Sequence, residues 1–164
     1  MLIYHPGYDV NHCCYRILNI LFNVDDNQLN HDLLKLFDFY YLYPHLLKKI
    51  SRLPKPLCYE KKLISAIEEP FEITPNSKSL FFEMSILQED AINSLINKGL
   101  ITIKGKLILL SIDNVPPTLV QKFRDGVFSS SHIHQMLLKN LPKVTLNGLN
   151  GIKAKSGLME YRYD

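Results

Sequence analysis

Tryptophan, a disulfide framework and long apolar runs are all missing from this sequence of 164 residues. No apolar run approaches the roughly 20 residues that a bilayer-spanning helix needs, so we expect no transmembrane helix. Three cysteines, two of them adjacent, do not form a disulfide framework and are typical of a reducing compartment. The first ten residues have neither a basic start nor an apolar signal core. We therefore expect a cytoplasmic protein.

Strong charge of one sign is also missing. Lysine and arginine total 19 against 16 aspartate and glutamate, which gives a net charge of +3. This balance is well short of the basicity of a dedicated nucleic-acid-binding protein. Hydrophobic residues make up 46% of the chain, with 27 leucines and 16 isoleucines. That composition favours helices packed on helices, with apolar area left over for a partner.

Candidate catalytic and metal-binding residues lack the spacing that these chemistries need. Cys13 and Cys14 are adjacent and would point about 100° apart on a helix. There is no Cys-x-x-Cys pair, and His132 and His134 are only two residues apart. Neither of the glycine-rich phosphate-binding motifs is present. We expect no enzymatic activity, no metal and no cofactor, with Cys13 and Cys14 as small core residues; an unrecognised small enzyme is the least favoured hypothesis.

The first part of the chain, residues 1–70, is predicted to be helical. Asp9 or Asn11 can cap a helix in which apolar residues recur every three or four positions, up to Asp25. A second helix is predicted from near Asn30. It is apolar almost all round over residues 33–47, so we expect it to be central. Pro44 should kink or split it. A third helix is predicted over residues 59–68.

The middle part, residues 76–113, has the element order of a winged helix. SLFFEM favours a helix, and QEDAINSLINKG is an amphipathic helix with Ile86 on its apolar side and Gly99 at its end. LITI and LILLSI then flank Lys104, Gly105 and Lys106, a spacing that predicts a two-stranded hairpin. Helix, helix and hairpin in this order predict a winged-helix-like part.

The last part, residues 114–164, is predicted to be helical with a tail. One helix should start at Pro117, with Phe123 and Val127 on one face, and be broken at residues 129–131. A second is predicted over residues 131–140, before a tail rich in glycine, asparagine and lysine. The fold class is therefore mostly α (α+β), in a single compact domain spanning residues 1–164.

Two regions are candidates for contact with nucleic acid. The helix around Gln88 has a net charge of about −1, which opposes a phosphate backbone, so base readout by this helix is not expected. The densest positive segment lies elsewhere in the chain and could contact phosphates. A solvated basic rim explains this segment at least as well. The hairpin lysines are a weaker candidate for phosphate contact. The residues concerned are Lys48, Lys49, Arg52, Lys55, Lys61 and Lys62 in the segment, and Lys104 and Lys106 in the hairpin.

Aromatic residues crowd the second predicted helix. Such a cluster is most often part of a core, although tyrosine is also a frequent interface anchor. The cluster consists of Phe37, Phe39, Tyr40, Tyr41 and Tyr43.

Several short motifs together resemble one family. YHPGYDVNHCCYRILNILF is followed by DFYYLYPHLL, the Leu53-Pro54 pair, an F-x-E-M motif and a closing Gly157-Leu158. In this order they are similar to the middle components of bacterial ABC three-component systems, among them the small subunit of Lamassu-type antiphage defence. The matching positions are His5, Pro6, Asp9, Arg16, Asp38, Phe39, Tyr40 and Pro44.

The resemblance implies a non-catalytic adaptor. Members of the family accompany an ABC ATPase related to the SMC and Rad50 proteins and a separate effector, often a nuclease, so contact with DNA would come through the complex. The alternative is a transcriptional regulator that binds DNA through the winged helix. From the residues themselves, we predict that Asp9, Arg16 and Asp38 are structural. Arg16 should reach Asp38 on the second helix as a partly buried two-point ion pair.

Overall fold

Helices form most of the computed structural model, which describes residues 5–159. Parts of the predicted first and last segments fall on residues 1–4 and 160–164 and lie outside the described residues. The mostly α (α+β) fold class is confirmed. None of the described helices has the length and apolar character to cross a membrane. The helices are α1 (Val10–Asn23), α2 (His31–Leu42), α3 (Lys61–Ser65), α4 (Ser77–Asn97), α5 (Pro117–Arg124), α6 (Val127–Ser130), α7 (His132–Asn140) and α8 (Ile152–Ser156).

A three-stranded antiparallel sheet joins the first and middle parts of the chain. It contains β1 (Gln28–Asn30), β2 (Ile101–Lys104) and β3 (Leu107–Leu110) in the order β1-β3-β2. The predicted hairpin is therefore confirmed, with Gly105 at a φ of 61° in its turn. β1 was not predicted, because its three residues have no local strand pattern; it forms by pairing with β3.

Polar caps and prolines set the helix ends as the sequence predicts. Asp9 accepts hydrogen bonds from the backbone N–H groups of Asn11 (2.7 Å) and His12 (3.2 Å) at the start of α1. Asn30 caps α2 in the same way. α2 ends at Leu42, and the chain continues from Pro44 as the 3₁₀ turn Pro44–Lys49, so Pro44 does split the predicted long helix.

Three helix predictions are corrected by the structure. The two helices expected between residues 77 and 98 are one continuous helix, α4, because the segment contains no glycine or proline. The last part breaks earlier than expected, at Gly126, where a Cβ atom would lie 2.7 Å from the carbonyl oxygen of Lys122. The third helix is only the short α3, preceded by the 3₁₀ turn Leu57–Glu60.

The hydrophobic core is built around α2, as its all-round apolar pattern predicts. The Phe39 ring meets the Phe81 ring of α4 edge-on, with centroids 5.4 Å apart. On the other side, Phe37 meets Phe128 of α6 at 5.8 Å. Both Phe37 and Phe39 are fully buried. The aromatic cluster is thus mainly core, and each such burial stabilises the fold by about 1.5–3 kcal/mol.

Candidate functional site

The most strongly paired polar group in the interior lies where α1, α2 and α4 meet. Arg16 donates from Nε to Asp38 Oδ1 (2.5 Å) and from Nη2 to Asp38 Oδ2 (3.1 Å). Arg16 is 4% exposed and Asp38 is fully buried. The predicted two-point contact is therefore confirmed. Two parallel hydrogen bonds fix the guanidinium plane of Arg16 relative to the carboxylate plane of Asp38. This pair therefore sets the relative position of α1 and α2.

Gln88 adds α4 to this junction. Its Nε2 donates to Asp38 Oδ2 (2.8 Å) and to the carbonyl oxygen of Lys35 (3.0 Å). Both partners are acceptors, so only the amide nitrogen can face them. Its Oε1 is buried without a hydrogen-bond partner among the described residues. We call Arg16, Asp38 and Gln88 the buried centre.

The thiol of Cys13 packs against the buried centre. Cys13 lies 3.8 Å from Asp38 Oδ2 through Sγ, and it is 1% exposed. Burial, reinforced by the Asp38 carboxylate, raises the pKa of the Cys13 thiol far above its ordinary value. Burial by itself would lower the pKa of Arg16, but the Asp38 charge raises it. A buried thiol beside an ion pair is typical of a structural cysteine.

The remaining motif residues hold the first turn against the core. Arg16 Nη1 also donates to the carbonyl oxygen of Pro6 (3.2 Å). His5 Nδ1 accepts from the backbone N–H of Gly7 (3.0 Å), and its ring stacks on Tyr43 at 5.9 Å. Tyr40 is 2% exposed. Asp9 and Pro44, by contrast, lie at the start of α1 and just after the end of α2.

Gln88, after which the candidate reading helix was described, does not lie on the surface of α4, whereas Asp90 and Asn93 on the same helix are exposed. Gln88 is 1% exposed and faces inward. Glu89 Oε1 lies 2.9 Å from Lys35 Nζ, with which it forms an ion pair, and 3.0 Å from His31 Nε2. Ile86, expected on the apolar inner side, is 54% exposed. The spacing does indicate the inward position of Gln88, because it follows the buried Met84 by four residues and precedes the buried Ala91 by three, which puts all three on one helix face.

The side of α4 that faces solvent carries two large apolar side chains whose exposure the sequence did not predict. Its members lie on one side of the helix and combine two large apolar side chains with two carboxylates and an amide. We call this surface the outer face of α4; it consists of Phe82, Glu83, Ile86, Asp90 and Asn93.

The candidate phosphate-contacting residues fall at opposite ends of α2. The Lys106 carbonyl accepts from the backbone N–H of His31 at the start of α2, which places the hairpin there. The basic segment follows the other end, about 17 Å away at 1.5 Å per residue. Lys104 and Lys106 are exposed in the hairpin, as are Lys49 and Arg52 in the segment.

Lys48 is a special case within the basic segment. Its Nζ donates to the carbonyl oxygen of Ile67 (2.7 Å) and contacts Glu69 (2.5 Å). Its charge is thus matched within the chain. Near it, Arg52 and Lys61 line a groove of about 530 Å³ with Leu47, Ile50 and Ile64.

No group of three or more metal-ligating side chains occurs within residues 5–159. The three cysteines are all free. Cys14 Sγ contacts the carbonyl oxygen of Ala91 at 3.7 Å, in the packing between α1 and α4. The cysteine positions therefore agree with the core interpretation.

One comparison with known proteins gives a match. The family model described as ABC-three component (ABC-3C) system Middle Component 5 matches residues 2–164. No curated protein and no solved structure gives a significant match. The family match covers nearly the whole chain, including all eight motif positions.

Proposed function

This chain belongs to the Middle Component 5 family of ABC three-component systems, and from that premise we propose that it is a non-catalytic adaptor subunit. In this proposal it bridges an SMC/Rad50-like ABC ATPase and an effector such as a nuclease, in an antiphage defence complex of the Lamassu type. The complex acts in the cytoplasm, and contact with DNA is made through it.

The observation that carries this proposal is the outer face of α4. Phe82 is 51% exposed and Ile86 is 54% exposed, one helical turn apart. Exposed apolar side chains rimmed by polar ones mark protein interaction sites. The neighbouring Glu83 and Asp90 carboxylates would repel nucleic-acid phosphates. A surface of this composition suits another protein.

The order of the elements supports a winged-helix architecture for the adaptor. α1, β1, α2, α4, β2 and β3 follow one another as in winged-helix domains, with the short α3 between α2 and α4. The first strand lies beside the second strand of the hairpin. We propose that residues 10–110, rather than residues 76–113 alone, form this unit, with α4 in the position of the reading helix.

Reconstitution with the other components tests the proposed role. The chain should co-purify with the ATPase and the effector encoded beside it, and it should have no ATP turnover of its own. Phe82→Ser with Ile86→Ser should weaken that assembly at least about tenfold, because apolar anchors carry most interface energy. Ile112→Ser is the matched control, at a side chain that is 45% exposed elsewhere. Turnover by the isolated chain that a substitution abolishes would contradict the adaptor role.

A DNA-binding regulator is the second candidate, and the element order favours it as well. In that case α4 would enter the major groove with the hairpin lysines on the backbone. Tight binding to one DNA sequence, lost on Asn93→Ala, would favour this candidate. Gln88 cannot be the reader in either case, because it is buried.

A further inference from the structure

Residues 67–76, between α3 and α4, carry the two most exposed large apolar side chains of the described chain. Phe71 is 111% exposed relative to a reference residue and Ile73 is 96% exposed. Leu149, in a different loop, is next at 90%. Large apolar side chains held fully in water are costly unless another surface covers them.

This stretch is held in place near both of its ends. Lys48 Nζ donates to the carbonyl oxygen of Ile67 and contacts the Glu69 carboxylate, at 2.7 and 2.5 Å. Near the other end, His45 Nε2 and Thr74 Oγ1 are 2.9 Å apart. We call residues 67–76 the pinned segment.

Both anchors come from the same 3₁₀ turn. His45 and Lys48 lie in the 3₁₀ turn Pro44–Lys49, whose Leu46 and Leu47 are buried in the core. The turn that holds the pinned segment is therefore itself anchored in the core. A partner that covers this segment loses less conformational entropy on binding than it would with a free loop.

The charge of the pinned segment selects the kind of partner. Glu68 and Glu72 flank Phe71 and are exposed, with no ion pair to the described residues. Lys48 already matches the charge of Glu69. The segment thus presents two unmatched carboxylates beside its apolar side chains. Nucleic acid and anionic lipid surfaces are repelled by such a segment, whereas lysine and arginine side chains are attracted.

We propose that the pinned segment docks on another protein component of the three-component system. Phe71 and Ile73 enter an apolar cleft of that component, and lysine or arginine side chains at the rim of the cleft pair with Glu68 and Glu72. This inference rests on the proposed adaptor function. The outer face of α4 adjoins this surface, since Glu83 contacts Tyr8 and Tyr8 lines a groove of about 470 Å³ together with Ile73.

The test removes exposed apolar side chains from the pinned segment and, as a control, from a different loop of the full chain. Phe71→Ser with Ile73→Ser should weaken binding to the co-expressed ATPase or effector at least about tenfold, with an unchanged melting temperature. Leu149→Ser is the control, because it removes an equally exposed apolar side chain and should leave affinity within about twofold. Glu68→Lys with Glu72→Lys should also weaken binding, and this loss should shrink as salt rises from 50 to 500 mM.

A photo-crosslinking amino acid placed at position 71 identifies the surface contacted. Crosslinks to an apolar cleft rimmed by lysine or arginine on the ATPase or the effector are expected. If wild-type chain binds these components and the Phe71 and Ile73 variant binds equally well, the docking role is wrong while the adaptor function stands. If wild-type chain binds neither component, the adaptor function itself fails.

A second copy of this chain is the competing occupant. The groove lined by Arg52 and Lys61 has an apolar floor and a basic rim. Analytical ultracentrifugation of the isolated chain separates the two cases. A wild-type dimer that the Phe71 and Ile73 substitutions convert to a monomer, with crosslinks to Arg52 and Lys61, would overturn the assignment to a different chain.

Discussion

The buried centre and the pinned segment both contain carboxylates, but they differ in what surrounds those groups. Asp38 accepts hydrogen bonds from α1 and from α4 and is fully buried. Glu68 and Glu72 lie in solvent beside exposed apolar side chains. A buried carboxylate whose hydrogen bonds are made within the chain contributes to structure. An exposed carboxylate beside apolar surface can still pair with a group on another protein. Asp38, a residue of the family motif, is a carboxylate of the first kind.

The largest effect expected from this comparison is at Arg16. Arg16→Ala leaves the Asp38 charge uncompensated in the interior, which should lower the free energy of unfolding by about 3–5 kcal/mol. Urea denaturation measures the loss. Arg52→Ala is the matched control, since that arginine is exposed and its removal should cost less than about 0.5 kcal/mol.

Partner binding separates the structural role of Arg16 from an interface role. Loss of the complex should follow from loss of folding and should be regained at low temperature or with an added osmolyte. An Arg16→Ala chain of wild-type stability that no longer binds its partners would mean that the buried pair does not set the fold.

A smaller effect is expected at Gln88. Gln88→Ala removes the hydrogen bond to the Asp38 carboxylate and the one to the Lys35 carbonyl, and should cost about 1–3 kcal/mol. Asn93→Ala, on the same helix but exposed, should be within about 0.5 kcal/mol of wild type. Equal stability of the two variants in thermal denaturation would contradict the inward position of Gln88.

Sequence was most informative where a local chemical rule decides the structure. Asp9 and Asn30 cap their helices by accepting backbone hydrogen bonds, Pro44 ends α2, and Gly105 forms the hairpin turn. Each follows from the chemistry of one side chain. The contact between Arg16 and Asp38 was also predicted, because Asp9 lies about two helical turns before Arg16, too far for a direct contact within one helix.

Sequence was least informative where distant segments decide the outcome. β1 exists because β3 pairs with it, almost eighty residues later. Gln88 looked like a surface residue because it stands beside Glu89 and Asp90, yet its place on the face of Met84 and Ala91 turns it inward. The exposure of Phe71 and Ile73 has no local signal either, since it depends on how His45 and Lys48 hold the segment.

Two histidines, the buried His45 and the half-buried His134, make stability depend on pH. Burial lowers the pKa of His134, whose Nε2 donates to the Tyr41 carbonyl (2.9 Å) while Nδ1 accepts from the Ser131 hydroxyl (2.8 Å). Burial also lowers the pKa of His45. The unfolded chain then binds more protons below the ordinary histidine pKa of about 6.5. The contribution of both imidazoles to the free energy of unfolding is fully present above about pH 6.5. It is lost as the pH falls through their lower pKa values in the folded state.

Thermal denaturation between pH 7.5 and pH 5 checks this sign. The melting temperature should fall on acidification, and less steeply in His134→Gln, whose amide can still donate to the Tyr41 carbonyl. His132→Gln, in which an exposed imidazole is removed from the same helix, should follow wild type. A melting temperature that rises on acidification would show that protonated histidines are favoured in the fold.

The smallest effect is expected for the affinity of the chain for DNA. This prediction compares lysine and arginine substitutions near the two ends of α2. Any affinity of the isolated chain should be weak and salt-sensitive, because phosphates rather than bases would be contacted. Lys49→Glu with Arg52→Glu should lower that affinity by about three- to tenfold at low salt, and more than Lys104→Glu with Lys106→Glu in the hairpin. Lys48 is left unchanged because it holds the pinned segment. Fluorescence anisotropy on a DNA duplex at 50 and 200 mM salt measures both pairs, and a larger loss from the hairpin pair would place the phosphate contacts at the opposite end of α2 from the basic segment.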